Sequence, residues 1–238
     1  MLPNPSLKRG PATAGRLGPA GGARYIFATR AKPSCRSGPL SSNVRRLRTP
    51  SVRLVAFFRN LNLGQRLAPS RSELELAFLE AGATSAASFQ TNGTVVFNAR
   101  SLKAGMKAVR LACEQFERTN GFTEPAFVRS WDYLVAMVER RPFESHKDAT
   151  VHAHAVTFLH AEADLSIDLP TRTSRGDVRI VEYTASEILC ASYKTGANTA
   201  GSPNVFAERL FGLPATTRVW STIERLVRRD ASEETPSK

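Results

Sequence analysis

A chain of 238 residues, 42% hydrophobic and 8% aromatic, has room for one large domain or two small ones. It contains no apolar run near the roughly 18 to 20 residues of a membrane-spanning helix. The net charge of +12 suggests a polyanionic partner, but ten of the 33 basic residues fall in positions 1–50, which hold no Asp or Glu; this leaves 23 basic against 21 acidic groups in the rest, so the body of the protein is close to neutral and argues against nucleic acid.

Residues 1–50 are rich in Pro, Gly, Ala, Ser and Arg and show no sustained apolar period. Such a segment buries too little apolar surface to offset its ordering entropy, so a disordered basic tail is expected. A transit peptide fits the arginines but not the helix-breaking Pro and Gly. A nucleic-acid arm lacks aromatic interleaving beyond Tyr25 and Phe27. The abrupt onset of strand pattern favours a true translation start near Val52 or Leu54.

Val52 to Phe58 reads as a buried strand, and Arg59 to Pro69 as a loop with Asn, Gly and Pro punctuation. Ser70 and Glu73 form a capping box, and Leu74, Phe78 and Ala81 give the following helix one apolar face up to Gly82. Two β-prone runs, Ala86 to Gln90 and Thr94 to Asn98, flank Thr91-Asn92-Gly93, a hairpin signal in which Asn and Gly both tolerate positive φ. Ser101 caps a helix with a stripe of Leu102, Met106, Val109, Cys113 and Phe116, ended by Asn120-Gly121. Pro125 to Arg129 is a strand. Ser130 caps a helix from Trp131 through Arg141, and Pro142 to Thr150 forms a joint.

The order then repeats. Val151 to Leu159 is a strand and Glu162 to Asp168 a short helix or turn. Asp177 to Tyr183 and Glu187 to Lys194 make a hairpin across Thr184-Ala185-Ser186. Lys194 to Gly201 reads as a flexible loop. Ser202-Pro203 opens a helix facing inward through Phe206 and Leu210. Thr216 to Trp220 is a strand, and Ser221 to Arg229 a closing helix on Ile223, Leu226 and Val227. The expected fold is α+β: two tandem ferredoxin-like (βαββαβ) halves with antiparallel sheets, residues 51–141 and 142–230, with a C-terminal helix and a tail at 231–238.

Three segments carry a resemblance to a known family. Leu54 to Gly64 (LVAFFRNLNLG) resembles the opening strand and loop of domain-of-unknown-function family 1697, typically A-L-L-R-G-I-N-V-G-G. Phe89 to Phe97 (FQTNGTVVF) resembles its Y-I-Q-S-G-N-V-V-F hairpin, and Leu213 to Thr222 (LPATTRVWST) its closing V-P-A-T-x-R-N-W-N-T. The motifs keep their order between about Val52 and Arg228. Departures fall at Asn60, Gln65, Thr91, Asn92, Val219 and Ser221. The resemblance implies bacterial cytosolic proteins with two ferredoxin-like halves, no established activity and no metal.

Arg59, Asn60 and Asn62 leave the first strand into a Gly-containing loop, where an Arg with two amides suits a small phosphate or carboxylate. The plainer alternative, which the residue types favour, has Arg59 paired with an acid and the asparagines bonding their own loop. Asn92 serves the turn first, and Gln90 is placed to face the same crevice. Arg218, Trp220 and Thr222 alternate, so on a strand they share a face and could form a cation–π platform for a ring; anchoring of the last helix is the competing reading. Lys194 beside its glycine loop is a phosphate-contact candidate. His152 and His154 sit two apart on a strand, near His146 and Asp148, but solvent-facing histidines account for them better than a metal. Glu73 with Glu75, and Glu162 with Asp164, read as first-turn helix charges. No GxSxG, Walker A or GxGxxG pattern appears, so no catalytic residue, metal or cofactor is assigned. Three widely spaced cysteines, Cys35, Cys113 and Cys190, fit reduced thiols in a cytoplasmic protein. The reading is a protein binding a small anionic or ring-bearing ligand; a metal-independent enzyme on such a ligand and a nucleic-acid binder are the alternatives.

Overall fold

The structure is a computed structural model and describes residues 51–160, 162–163, 172–196 and 199–233. Strand β1 (Val52–Phe58) is buried from Leu54 onward because both its edges and both its faces are covered. It pairs antiparallel with β3 (Thr94–Ala99) and with β4 (Ala126–Ser130), and β2 (Ser85–Phe89) completes a sheet of order β2-β3-β1-β4. The period of two divides its side chains. Leu54, Ala56 and Phe58 pack with Leu74 and Phe78 of α1 (Arg71–Glu80) and with Val109 and Phe116 of α2 (Leu102–Asn120). Val55 and Phe57 point the other way, into a second cluster.

The second sheet is built the same way. Strands β5 (Val151–Leu159), β6 (Val178–Tyr183), β7 (Glu187–Gly196) and β9 (Ala215–Val219) follow the order β6-β7-β5-β9, and the short β8 (Thr199–Ala200) pairs with β7. In each sheet the first strand lies between the third and the fourth. Helix α4 (Pro203–Phe211) closes the outer face over Ile188, Cys190 and Ala215. The inner faces of both sheets meet in one cluster with α3 (Trp131–Glu139) and α5 (Trp220–Glu233). At its centre the rings of Phe57 and Phe158 stack at 4.6 Å between centroids and 14° between planes. Among the described residues no helix is long and apolar enough to cross a membrane.

The α+β class, the antiparallel sheets and most element positions agree with the sequence reading; several details do not. The buried face of α2 is Gly105, Ala108, Val109, Ala112 and Phe116, while Leu102 and Met106 are 52% and 56% exposed. The helix approaches the sheet so closely that a Cβ on Gly105 would lie 2.1 Å from Leu54 Cδ1, which favours small residues on that face. Strand β7 continues to Gly196, so Lys194 pairs with Ala200 instead of lying in a loop. The last strand ends at Val219; Trp220 is already helical, and α5 continues to Glu233. The β2–β3 connection takes positive φ at Gln90 and Gly93, not at an Asn-Gly pair. Of the short helix or turn expected over Glu162 to Asp168, residues 164–168 lie outside the described residues, as do the tail at 1–50 with Cys35, and 234–238.

Candidate functional site

The end of β1 delivers Arg59 and the loop after it to the junction of the two sheets. Asn60 takes φ 52°, a left-handed conformation that asparagine tolerates better than most residues. Leu61, 2% exposed, pins the loop. Phe58 donates its amide to the Gly93 carbonyl, and Leu63 donates to that of Thr91, both at 2.8 Å. Gly93 is required here: its φ is +65°, and an added Cβ would stand 2.7 Å from Leu61 Cβ. Opposite this loop, Thr216, Thr217 and Arg218 come from β9. The two sides enclose a cleft of about 340 Å³ lined by Arg59, Asn60, Asn62, Asn92, Asn204, Thr216 to Arg218 and Thr222 among others.

Arg218 is 7% exposed and spans the two sheets. Its Nη2 donates to the carbonyls of Phe58 (2.8 Å) and Asn92 (2.9 Å), its Nη1 to Thr216 Oγ1 and the Thr217 carbonyl (both 2.9 Å), and its Nε to Thr94 Oγ1 (3.3 Å). Its guanidinium also lies 5.5 Å from the centre of the Phe57 ring. All five N–H groups therefore have neutral partners. No described carboxylate is paired with this cation, and burial alone pushes its pKa down, to about 10.

Arg59 is handled differently. It pairs with Glu124 and, at 2.8 Å from Nε, with Glu208; both bonds hold its pKa above the ordinary range. Asn60 donates to Glu124 at 2.8 Å, and Glu208 also accepts the Ala215 amide at 3.2 Å. The acid-paired reading of Arg59 thus describes this structure.

Five of the eight candidate residues meet in the cleft: Arg59, Asn60, Asn62, Asn92 and Arg218. Gln90 lies at the turn beside it, its carbonyl accepting from Arg71 at 3.2 Å. Lys194 is exposed on β7 and does not line this cleft. The platform of Arg218 and Trp220 does not form, because the strand ends between them. The Trp220 ring turns into the shared core, edge-on to Phe143 at 5.1 Å. His154 stacks on Phe143 at 4.4 Å and is half-buried, and His152 is exposed. Among the described residues no group of three His, Cys, Asp or Glu is placed to hold a metal.

Sequence reasoning named Thr222 but missed the rest of the polar wall, Thr216, Thr217 and Asn204. It also missed a second, half-buried arginine, Arg129 on β4. Nη2 of Arg129 donates to the carbonyls of Leu159 (3.2 Å) and Ser186 (2.7 Å), Nη1 donates to that of Val128 (2.8 Å), and the guanidinium lies 5.1 Å from the Phe158 ring centre. A signal for it exists: Pro125 to Trp131 (PAFVRSW) and Pro214 to Trp220 (PATTRVW) share P-A-x-x-R-x-W. The register agrees with that repeat. Arg129 pairs with Val55 and Arg218 with Val156, each three residues before the end of its central strand. Each closing arginine reaches across to the other sheet.

The fold and site define a two-sheet α+β protein with a polar cleft at the sheet junction. The family model described as "Protein of unknown function (DUF1697)" matches residues 52–183, and the chain belongs to that family. The cleft wall on β9 lies beyond the matched stretch. The solved structure of the conserved bacterial protein SP0830 from Streptococcus pneumoniae is similar, with a TM-score of 0.53 and 16% identity over 76% of this chain and 98% of that one; at that identity the likeness shows the fold alone. No curated protein matches the chain.

Proposed function

We propose that this protein binds a small anionic ligand, without a metal, in the cleft between the end of β1 and β9. The observation that carries the reading is Arg218, a buried cation in the cleft wall with no carboxylate paired to it among the described residues. Burying an unpaired charge is costly, and an anion in the cleft would offset that cost. The asparagine amides and threonine hydroxyls around it supply directional hydrogen bonds. The near-neutral body supports a small anion over a nucleic acid.

The same reading takes residues 51–141 and 142–230 as two ferredoxin-like halves, supported by the shared strand order and the repeated P-A-x-x-R-x-W segment. A cytoplasmic setting is supported by the free thiols of Cys113 and Cys190.

The test is a thermal-shift screen of the full chain against pooled small anions and their neutral analogues. A stabilising anion is expected whose effect disappears in Asn62→Asp, which adds a negative charge at an exposed cleft position. If no anion raises the melting temperature above its neutral analogue, the proposal fails.

A further inference from the structure

Arg129 and Arg218 are a comparison built into the molecule. Their surroundings correspond residue by residue. Phe57 pairs with Thr94 as Phe158 pairs with Glu187, so Thr94 and Glu187 occupy equivalent places in the two sheets. The equivalence extends to the backbone: Phe58 donates to Gly93 and Leu159 to Ser186, both at 2.8 Å, while Arg59 donates to Pro125 at 3.0 Å and His160 to Pro214 at 3.1 Å.

The difference lies in charge. At the first arginine, the Glu187 carboxylate is 1% exposed and stands 3.6 Å from Arg129 Nε; it also accepts from Tyr133 and, at 2.6 Å, from Thr184. At the second, the equivalent residue is Thr94, a neutral hydroxyl 3.3 Å from Arg218 Nε. The cleft lies beside the arginine that has no acid partner among the described residues.

Resting on the proposed small-anion site, we propose that its ligand presents a single carboxylate to Arg218, supplying the charge that Glu187 supplies to Arg129, and that phosphate and other multiply charged anions are excluded. Charge balance carries the second clause. Arg59, the other cation of the cleft, is already held by Glu124 and Glu208, a group with one net negative charge. With Arg218 these groups sum to zero, so Arg218 is the one cleft cation without a described acid partner, and the second charge of a dianion would face the surplus of that acid pair. The arginine acts through its charge, because its N–H groups are taken. Hydrogen bonds to the ligand come from groups able to donate: the amides of Asn62 and Asn204, and the Thr216 hydroxyl, which accepts from Arg218 and keeps its own proton.

Nitrogen-15 NMR of the full chain tests this through the Arg218 Nε–H and the asparagine side-chain amides. Acetate, acetamide, inorganic phosphate at pH 8 and pyrophosphate are the probes, titrated at matched ionic strength. Acetate is expected to shift these resonances with an affinity at least about tenfold above that of phosphate, and acetamide to leave them in place. Thr94→Glu, which gives Arg218 an internal acid, should abolish the acetate response, whereas the neutral Thr94→Gln should keep it. A site that prefers phosphate or pyrophosphate overturns the carboxylate assignment and leaves small-anion binding standing. An acetate response that survives in folded Thr94→Glu overturns the role of Arg218. If Thr94→Glu does not fold, the ranking of the probes on the wild-type chain decides. No response to any anion removes the parent reading together with this one.

Discussion

Glu187 and Arg129 form a buried pair whose geometry is incomplete: Arg129 Nε and Glu187 Oε2 are both without a hydrogen bond, facing each other at 3.6 Å. Desolvation pushes the Arg129 pKa down and the Glu187 charge opposes the shift, while burial and the bond to Glu187 push that of Tyr133 up. Removing one member of such a pair leaves a buried charge unbalanced. Glu187→Gln is therefore expected to cost about 3 kcal/mol, at the lower end for broken buried pairs, measured by urea denaturation. Thr94→Ala at the equivalent place removes a neutral hydroxyl that accepts from Arg218 and donates to Asn92 Oδ1 at 2.9 Å, and should cost about 1–2 kcal/mol. The thiols give a pH prediction. Burial raises the pKa of Cys113 from 9.0 to about 11 and that of Cys190 to about 12. The folded protein keeps protons that the unfolded chain releases, so this contribution is intact below pH 9 and is lost as pH rises from about 9 toward 12. Denaturation between pH 8 and 10.5 should show a fall in stability that is shallower in the Cys113→Ala, Cys190→Ala double variant. At this scale the sequence identified Arg59, Asn60, Asn62, Asn92 and Arg218 as polar positions, because they leave strands next to glycine or in a family motif. It favoured an acid partner for Arg59 but could not name that partner. Glu124 and Glu208 are 65 and 149 residues from Arg59, and only the sheet junction brings them together.

Element boundaries were legible where a chemical marker stands at them. Ser70 with Glu73, Ser101 and Ser130 each cap a helix in the structure with the side-chain bond their position implies. At the start of α5 the preceding residue is Val219, which has no capping oxygen, and the β-prone Val-Trp pair hid the boundary. Trp220 was therefore read on a strand. The α2 stripe was misplaced for a related reason. Periodicity registers large apolar side chains, whereas the face against β1 is chosen for closeness and uses Gly105, Ala108 and Ala112. The turn at the cleft shows the same dependence on close approach. Gly93→Ala must hold a left-handed residue and push its Cβ against Leu61 and Phe58. A cost of about 1–3 kcal/mol is expected from the backbone strain, read as a lower melting temperature. Because Phe58 bonds to the Gly93 carbonyl and Arg218 to those of Phe58 and Asn92, the same variant should also weaken ligand binding.

At the scale of the molecule, the two sheets share a hydrophobic core. The repeated order β-β-β-β with intervening helices was readable from hydrophobic pattern, and it suggested two halves joined by a linker. Pattern alone could not show that the inner faces merge, since Val55, Phe57, Val156 and Phe158 would look the same whether each sheet had its own core or shared one. They share one, with Leu134 and Met137 of α3 and Ile223 and Leu226 of α5 between them, and Arg129 and Arg218 tie each sheet to the other's carbonyls. Separating the sheets would expose that core and leave two cations without their acceptors, so neither sheet should melt alone. The two tryptophans offer a direct check, since Trp131 follows the last strand of the first sheet and Trp220 that of the second. In Trp131→Phe and Trp220→Phe variants, the remaining indole should report urea transitions whose midpoints coincide with each other and with loss of helical circular dichroism, once each variant's own stability change is allowed for. Phe158→Ala, which deletes half of the central ring stack, should cost about 3–5 kcal/mol and move every probe together. A transition of Trp131 that stays in place while that of Trp220 shifts would mean that the sheets unfold independently.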